Sequence, residues 1–171
     1  MDESSPQTTA NTQRLWSFGK PIIRKNTDKM KANAFGCYML NGFSVIDFKE
    51  QSKKEDVSEF LKTIRQKNPG KEIVIILDNF KSHTANYTKQ CARDCGINLV
   101  YLPKYSPDLN PIEYIWKSIK RVISRSFIRD IDHIRASIRE SFLENASKLS
   151  YAKYWIERFL GGDVWYKKLG F

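Results

Sequence analysis

Residues that hold soft metals or staple small folds are scarce in this chain. It has three cysteines, Cys37, Cys91 and Cys95, and two histidines, His83 and His133. An odd, sparse cysteine set excludes a disulfide scaffold and agrees with a reducing compartment. Cys91 and Cys95 lie four apart on a predicted helix; with so few histidines as further ligands, they read as small packed side chains rather than half of a zinc site. No apolar run approaches the roughly 18 residues of a membrane-crossing helix, and no charged-then-apolar leader opens the chain, so the expected address is cytoplasmic. Internal repeats and low-complexity linkers are also lacking. Acids are the scarcer charge: 19 Asp and Glu against 29 Lys and Arg leave a formal net charge of +10. That balance suits a polyanionic partner. At 171 residues the chain has the size of one ordinary domain with its own core.

What is present is organised around residues 72–121. Ile73 to Leu77 is a continuous, β-branched apolar run, predicted as a strand buried on both faces. It stops at Asp78-Asn79. Groups just past the carboxyl end of such a strand face the ligand crevice of an open α/β sheet, which makes Asp78 a candidate for chemistry. Further on, Asn110-Pro111-Ile112-Glu113 has the form of a helix start, with an N-cap side chain, proline at the first position and an acid three after the cap. Glu113 is thereby placed in a first turn. Singly, Asp78 also fits an Asx turn and Glu113 a capping box with Asn110. Asp108 belongs to a Ser-Pro-Asp turn and is set aside. Lys117, Lys120, Arg121, Arg125 and Arg129 form a basic series without an intervening acid, and positions 117, 121 and 125 share a helical face suited to phosphates.

The remaining elements follow from periodicity. Residues 34–40 and 43–48 read as strands joined at Asn41-Gly42, a two-residue hairpin signal. Residues 53–67 carry Val57, Phe60, Leu61 and Ile64 at helical spacing and close at Asn68-Pro69-Gly70. A helix is predicted over 82–95, a strand over 98–102, and helices over 130–145 and 151–160. A short extended piece at 14–17 and an aromatic tail with Trp165, Tyr166 and Phe171 complete the chain. The order suits a mixed sheet with a hairpin on one side and parallel strands on the other.

The segments LDNFKSH and LPKYSPDLNPIEYIWKSIK, with 34 residues between Asp78 and Glu113, resemble the catalytic core of the mariner superfamily of transposases, in particular its insertion-sequence branch. The resemblance implies an RNase-H-like α/β fold, a five-stranded mixed sheet flanked by helices, with a catalytic core over 1–126 and a helical extension of the same domain over 127–171. It implies an Asp-Asp-Glu triad whose first member lies in Asp2-Glu3-Ser4, followed by Trp16 and Gly19; Asp2 is the candidate and Glu3 its neighbour to be told apart. Two magnesium or manganese ions are implied, Asp2 bridging them and Asp78 and Glu113 taking one each; His83 matches the family's histidine in this loop and fits either a contact to the scissile phosphate or a locally packed helix-start histidine. DNA is the implied partner, as element ends and target, with dimers and a nucleoid-associated location. The family's helix-turn-helix region is expected to be missing ahead of Met1 and the first strand to be truncated. Two other classes fit the same residues: a nucleic-acid-binding remnant without catalysis, and a ribonuclease H.

Overall fold

The structure, a computed structural model, describes residues 1–9, 18–20 and 25–159. The extended piece at 14–17 and the aromatic tail expected from the sequence lie outside the described residues. Strands β1 (Asp2–Ser4), β2 (Ala34–Cys37) and β3 (Val45–Phe48) form an antiparallel ladder in which Asp2 stands opposite Gly36 and Gly36 opposite Ile46. The predicted two-residue hairpin is instead a wider loop over residues 38–44. Asn68, buried at the end of the next helix, explains it. Its side chain accepts from the Phe43 N–H at 2.8 Å and donates to the Phe43 and Ile64 carbonyls at 3.1 Å each. Backbone groups that a tight hairpin would pair across the ladder are satisfied by this amide instead.

Helix α1 (Lys54–Lys67) buries Val57, Phe60, Leu61 and Ile64 completely, as their spacing requires. It leads into β4 (Ile73–Leu77), which pairs in parallel with β5 (Ile97–Tyr101) from Ile73 opposite Ile97 to Leu77 opposite Tyr101. The crossover between them is not one helix but two, α2 (Lys81–Thr84) and α3 (Asn86–Asp94), separated by Ala85 in extended backbone with ψ 141. The buried Thr88 hydroxyl donates to the Ser82 carbonyl at 2.6 Å, using an acceptor that an unbroken helix would have bonded through its backbone.

Two features of the sheet differ from expectation. The five strands divide into the antiparallel three and the parallel two; across the seam the Met1 ammonium donates to the Ile76 carbonyl at 2.8 Å. β1 is three residues long and forms no ladder with β4. Nor is β4 buried on both faces. Ile73, Ile75 and Leu77 pack with Ile97 against α1 and α3, whereas Val74 on the opposite face is 55% exposed and Val100 of β5 is 48% exposed. The second layer of helices covers only the antiparallel part of that face.

That second layer is α4 (Ile112–Ile123) and α5 (Ile131–Ala146), followed by α6 (Ser150–Phe159). Ile112, Ile115, Trp116, Ile119 and Ile123 of α4 meet Ile134, Ile138 and Phe142 of α5 over Ala34 and Ile46 of the sheet. The Asp130 carboxylate caps α5 by accepting from the His133 N–H at 2.7 Å. Gly36 sets how closely this layer approaches. A Cβ built there would lie 2.7 Å from Cζ2 of Trp116 and 2.7 Å from Cε2 of Phe142, so only a glycine lets the indole rest on the strand. Since Gly36 faces Asp2 in the ladder and Trp116 lies one turn after Glu113, this packing also fixes the spacing of two candidate residues.

Gly36→Ala tests the seat. Trp116 and Phe142 are both fully buried and have no room to retreat, so overpacking should lower stability by about 1–3 kcal/mol in urea denaturation. Unchanged stability would show that the two rings can shift without cost.

Candidate active site

Asp78 is the first residue after β4, and its carboxylate is divided between two tasks. Oδ1 accepts from the Phe80 N–H at 3.0 Å, an Asx turn, and lies 2.7 Å from Nδ1 of His83. The turn that the sequence offered as a competing explanation is therefore real. It uses one oxygen. Among the described residues Oδ2 has no hydrogen-bond partner, and the side chain is 54% exposed at the mouth of a cleft.

Glu113 comes from the first turn of α4, whose start is held by backbone: the Glu113 N–H donates to the Asn110 carbonyl at 3.1 Å. The expected capping box does not form. No side-chain hydrogen bond caps this helix, because Pro111 occupies the cap position and Asn110, one residue further out, is buried against the loop. The Glu113 carboxylate is thus left for another purpose. The loop before it is tied down from the far side, Nε1 of Trp155 on α6 donating to the Leu109 carbonyl at 2.6 Å.

Asp2 and Glu3 are separated by strand alternation. Asp2 lines the same cleft as Asp78 and Glu113, a hollow of ≈ 430 Å³ that Phe80, Lys104 and Tyr105 also line. Glu3 turns to the other side, where its side chain is 12% exposed and Oε1 sits 2.8 Å from Nε2 of His83. Burial, then the facing charge of Glu113, then that of Glu3 push the Asp2 carboxyl up to about 7, against the pull of the terminal ammonium and a backbone hydrogen bond. A half-buried acid held in the field of two others is a place where a cation would relieve repulsion.

The donor set fits a hard divalent cation. All three cleft acids offer oxygen, and magnesium takes one or two carboxylates while keeping several waters. Among the described residues no three acid, histidine or cysteine groups converge tightly enough to enclose one ion unaided. Among the described residues no cysteine or histidine lines the cleft.

His83 is placed differently from its expected contact with a phosphate. The ring is fully buried and both nitrogens face carboxylates, so neither is turned to the cleft surface. Burial alone would lower its pKa; the Glu3 hydrogen bond and charge, and then Asp78, outweigh this and raise it. Lys117, Lys120 and Arg121 are exposed along α4 beyond Glu113. Arg125, also exposed, lies in the turn past the end of α4 rather than on its face. Sequence reasoning did not pick out the aromatic rim, Phe80 at 53% and Tyr105 at 100% exposure. Tyr105 also holds a left-handed φ of 58, a conformation that a bulky residue keeps only where its surroundings impose it. Phe80 could have been found from its place two after Asp78. Nothing in the sequence announces the Tyr105 backbone.

The raised Asp2 pKa has a definite sign. The folded state favours the protonated carboxyl, so the stability present below the ordinary 3.8 is lost as pH rises through about 7. With a chelator present, Asp2→Asn should therefore stabilise the protein at pH 8, by up to about 4 kcal/mol, and make little difference below pH 4, as thermal melts at the two pH values would read. A variant less stable than the parent at pH 8 would mean that the ionised carboxylate has a favourable partner in the protein.

Known proteins resemble this chain in sequence and in fold. A family model described as DDE superfamily endonuclease matches residues 1–135. The chain is 38% identical over 52 residues to the Transposable element Tcb2 transposase of Caenorhabditis briggsae, covering 30% of this chain and 19% of that protein. It is 32% identical over 81 residues to the Transposable element Tc1 transposase of Caenorhabditis elegans, covering 47% and 28%. The chain thus spans less than a third of the length of these relatives. Among solved structures it is similar to Mos1 transposase in a paired-end complex with left transposon end, with a TM-score of 0.62 at 17% identity over 91% of this chain and 53% of that one. It is also similar to the catalytic domain of Mos1 mariner transposase, with a TM-score of 0.57 at 16% identity over 74% of each. These structural likenesses are ones of fold, which is RNase-H-like. With a matching model that spans most of its length, the chain belongs to the DDE superfamily endonucleases.

Proposed function

We propose that this chain is the catalytic part of a mariner-type transposase, which cleaves DNA phosphodiesters and joins the freed ends to a target, using divalent metal held by Asp2, Asp78 and Glu113. One observation carries the reading: three carboxylates from a strand, a strand end and a helix start line one cleft. Magnesium or manganese bound there, as a pair of ions, would activate the attacking oxygen and stabilise the leaving one. Asp78 offers its unused Oδ2, Glu113 its uncapped carboxylate, and Asp2 a carboxylate set in the field of Glu113. Water as the attacking group forms one phosphorus–oxygen bond and breaks another, leaving a 3′ hydroxyl; that hydroxyl is the attacking group in the joining step.

The DNA partner is supported by the net charge of +10 and by the exposed Lys117, Lys120, Arg121 and Arg125 downstream of Glu113. Phosphates on that face and bases against Phe80 and Tyr105 would bring a scissile bond over the acids. Element ends and target are the substrates of this reading, and the joining of two ends calls for two copies of the protein.

Plasmid nicking with magnesium or manganese, beside an RNA–DNA hybrid, tests the assignment. Asp78→Asn and Glu113→Gln should each reduce nicking by roughly 100-fold or more, since an amide offers no charged ligand to a hard cation. Because Glu113 makes no cap, Glu113→Gln should destabilise the protein by no more than about 0.5 kcal/mol, and at neutral pH in chelator the relief of repulsion with Asp2 should act in the stabilising direction. Variants that nick like the parent would remove these acids from the chemistry, a parent without activity would favour the binding-only remnant, and preference for the hybrid would favour a ribonuclease H. Replacing Lys117, Arg121 and Arg125 with alanine should weaken binding to all DNA sequences alike and flatten the log affinity against log salt slope by roughly 0.9 for each phosphate that is no longer neutralised. An unchanged slope would turn that face away from DNA.

A further inference from the structure

We propose that Glu3 and His83 act together as a positioning strut for Asp78, so that the residue beside the first cleft acid holds the second one in place. This rests on the metal-site reading above and adds a residue pair to it. His83 is fully buried, with Nδ1 at 2.7 Å from Asp78 Oδ1 and Nε2 at 2.8 Å from Glu3 Oε1. Carboxylate oxygens only accept, so the ring meets both by donating from both nitrogens and carries a charge between two opposite charges.

The strut joins the two parts of the sheet, which share a core but no ladder. Glu3 lies on β1 of the antiparallel ladder, whereas Asp78 and His83 follow β4 of the parallel pair. His83 belongs to a helix of a single turn, which would hold it poorly alone. From β5 the Tyr101 hydroxyl donates to the His83 carbonyl at 3.0 Å, and the Phe80 ring packs edge-on at 5.9 Å. Position and orientation of the imidazole are therefore imposed from four directions.

The consequence falls on Asp78. Its Oδ1 is pinned by His83 and the Phe80 N–H, so the carboxylate cannot rotate, and Oδ2 is the atom left for a ligand. Groups behind a metal-binding side chain that fix its orientation are commonly worth 10–100-fold in metal affinity. Glu3 reaches Asp78 only through the ring. It is a positioning residue, and its effect should depend on geometry more than on charge.

Manganese binding to the whole chain, followed by electron paramagnetic resonance of the free ion, separates the possibilities without relying on turnover. Glu3→Ala should weaken Mn²⁺ binding by about 10–100-fold. Glu3→Gln, whose amide oxygen can accept from Nε2 at the same reach, should restore binding to within about threefold. Glu3→Asp keeps the charge but withdraws the carboxylate by one methylene; it should bind as weakly as the alanine variant. DNA affinity measured in chelator should be unchanged in all three. Parent-like Mn²⁺ affinity in both Glu3→Ala and Glu3→Asp would overturn the strut and leave only a structural role for the pair. Loss in Glu3→Gln with retention in Glu3→Asp would overturn it in favour of a charge effect. Should Glu3→Ala fail to fold, the Gln and Asp pair still decides. A parent that binds no Mn²⁺ overturns the cleft reading and the strut with it, an outcome distinct from parent and variants binding alike.

Discussion

Mutual repulsion among acids in a partly desolvated cleft is the constraint on which the rest of this structure depends. Asp2 is pushed up to about 7 by burial and by Glu113 and Glu3, so the fold holds at neutral pH a group that resists being charged. A structure selected only for stability would replace such a residue. Retaining it makes physical sense where a cation is to be bound, because the repulsion that costs stability without metal becomes attraction with it.

Keeping the acids at that distance occupies much of the surrounding architecture. Gly36 lets Trp116 rest directly on the strand opposite Asp2, which brings α4 and Glu113 in. Trp155 anchors the loop ahead of α4, while the Asx turn and His83 fix the Asp78 carboxylate by one oxygen. Each device holds one acid from behind and leaves its cleft side open. The positive end of α4 at Glu113 and the exposed basic residues beyond it then put a surface suited to phosphates beside the proposed metal site.

The parts of this arrangement legible in the sequence are those fixed by local rules. A β-branched run ending in Asp78 and a proline-initiated helix bearing Glu113 declare a strand end and a helix start, and both acids reach the cleft. Helical spacing likewise placed the buried face of α1. What misled was tertiary. Asn41-Gly42 has the composition of a tight hairpin, but Asn68, distant in sequence, takes over the Phe43 backbone and widens the loop. An unbroken apolar run in β4 suggested burial on both faces, yet the second helical layer stops short of Val74. Asn110 looked like a cap and is not one. Alternation along β1 predicts that Asp2 and Glu3 part, without saying which faces the cleft; that depends on the far wall, Glu113 on one side and His83 on the other. The burial of His83 could not be read from its neighbours, because Glu3 and Tyr101 come from other strands.

The most direct test of the central claim, that three acids from separate elements form one metal site, is anomalous diffraction from crystals of the protein soaked in manganese. The account predicts manganese density in the cleft, in contact with Asp2, Asp78 and Glu113 and with no contact to Glu3 or His83. Density ligated by Glu3 in place of Asp2, or a cleft that binds no manganese while the three acids keep their positions, would contradict it.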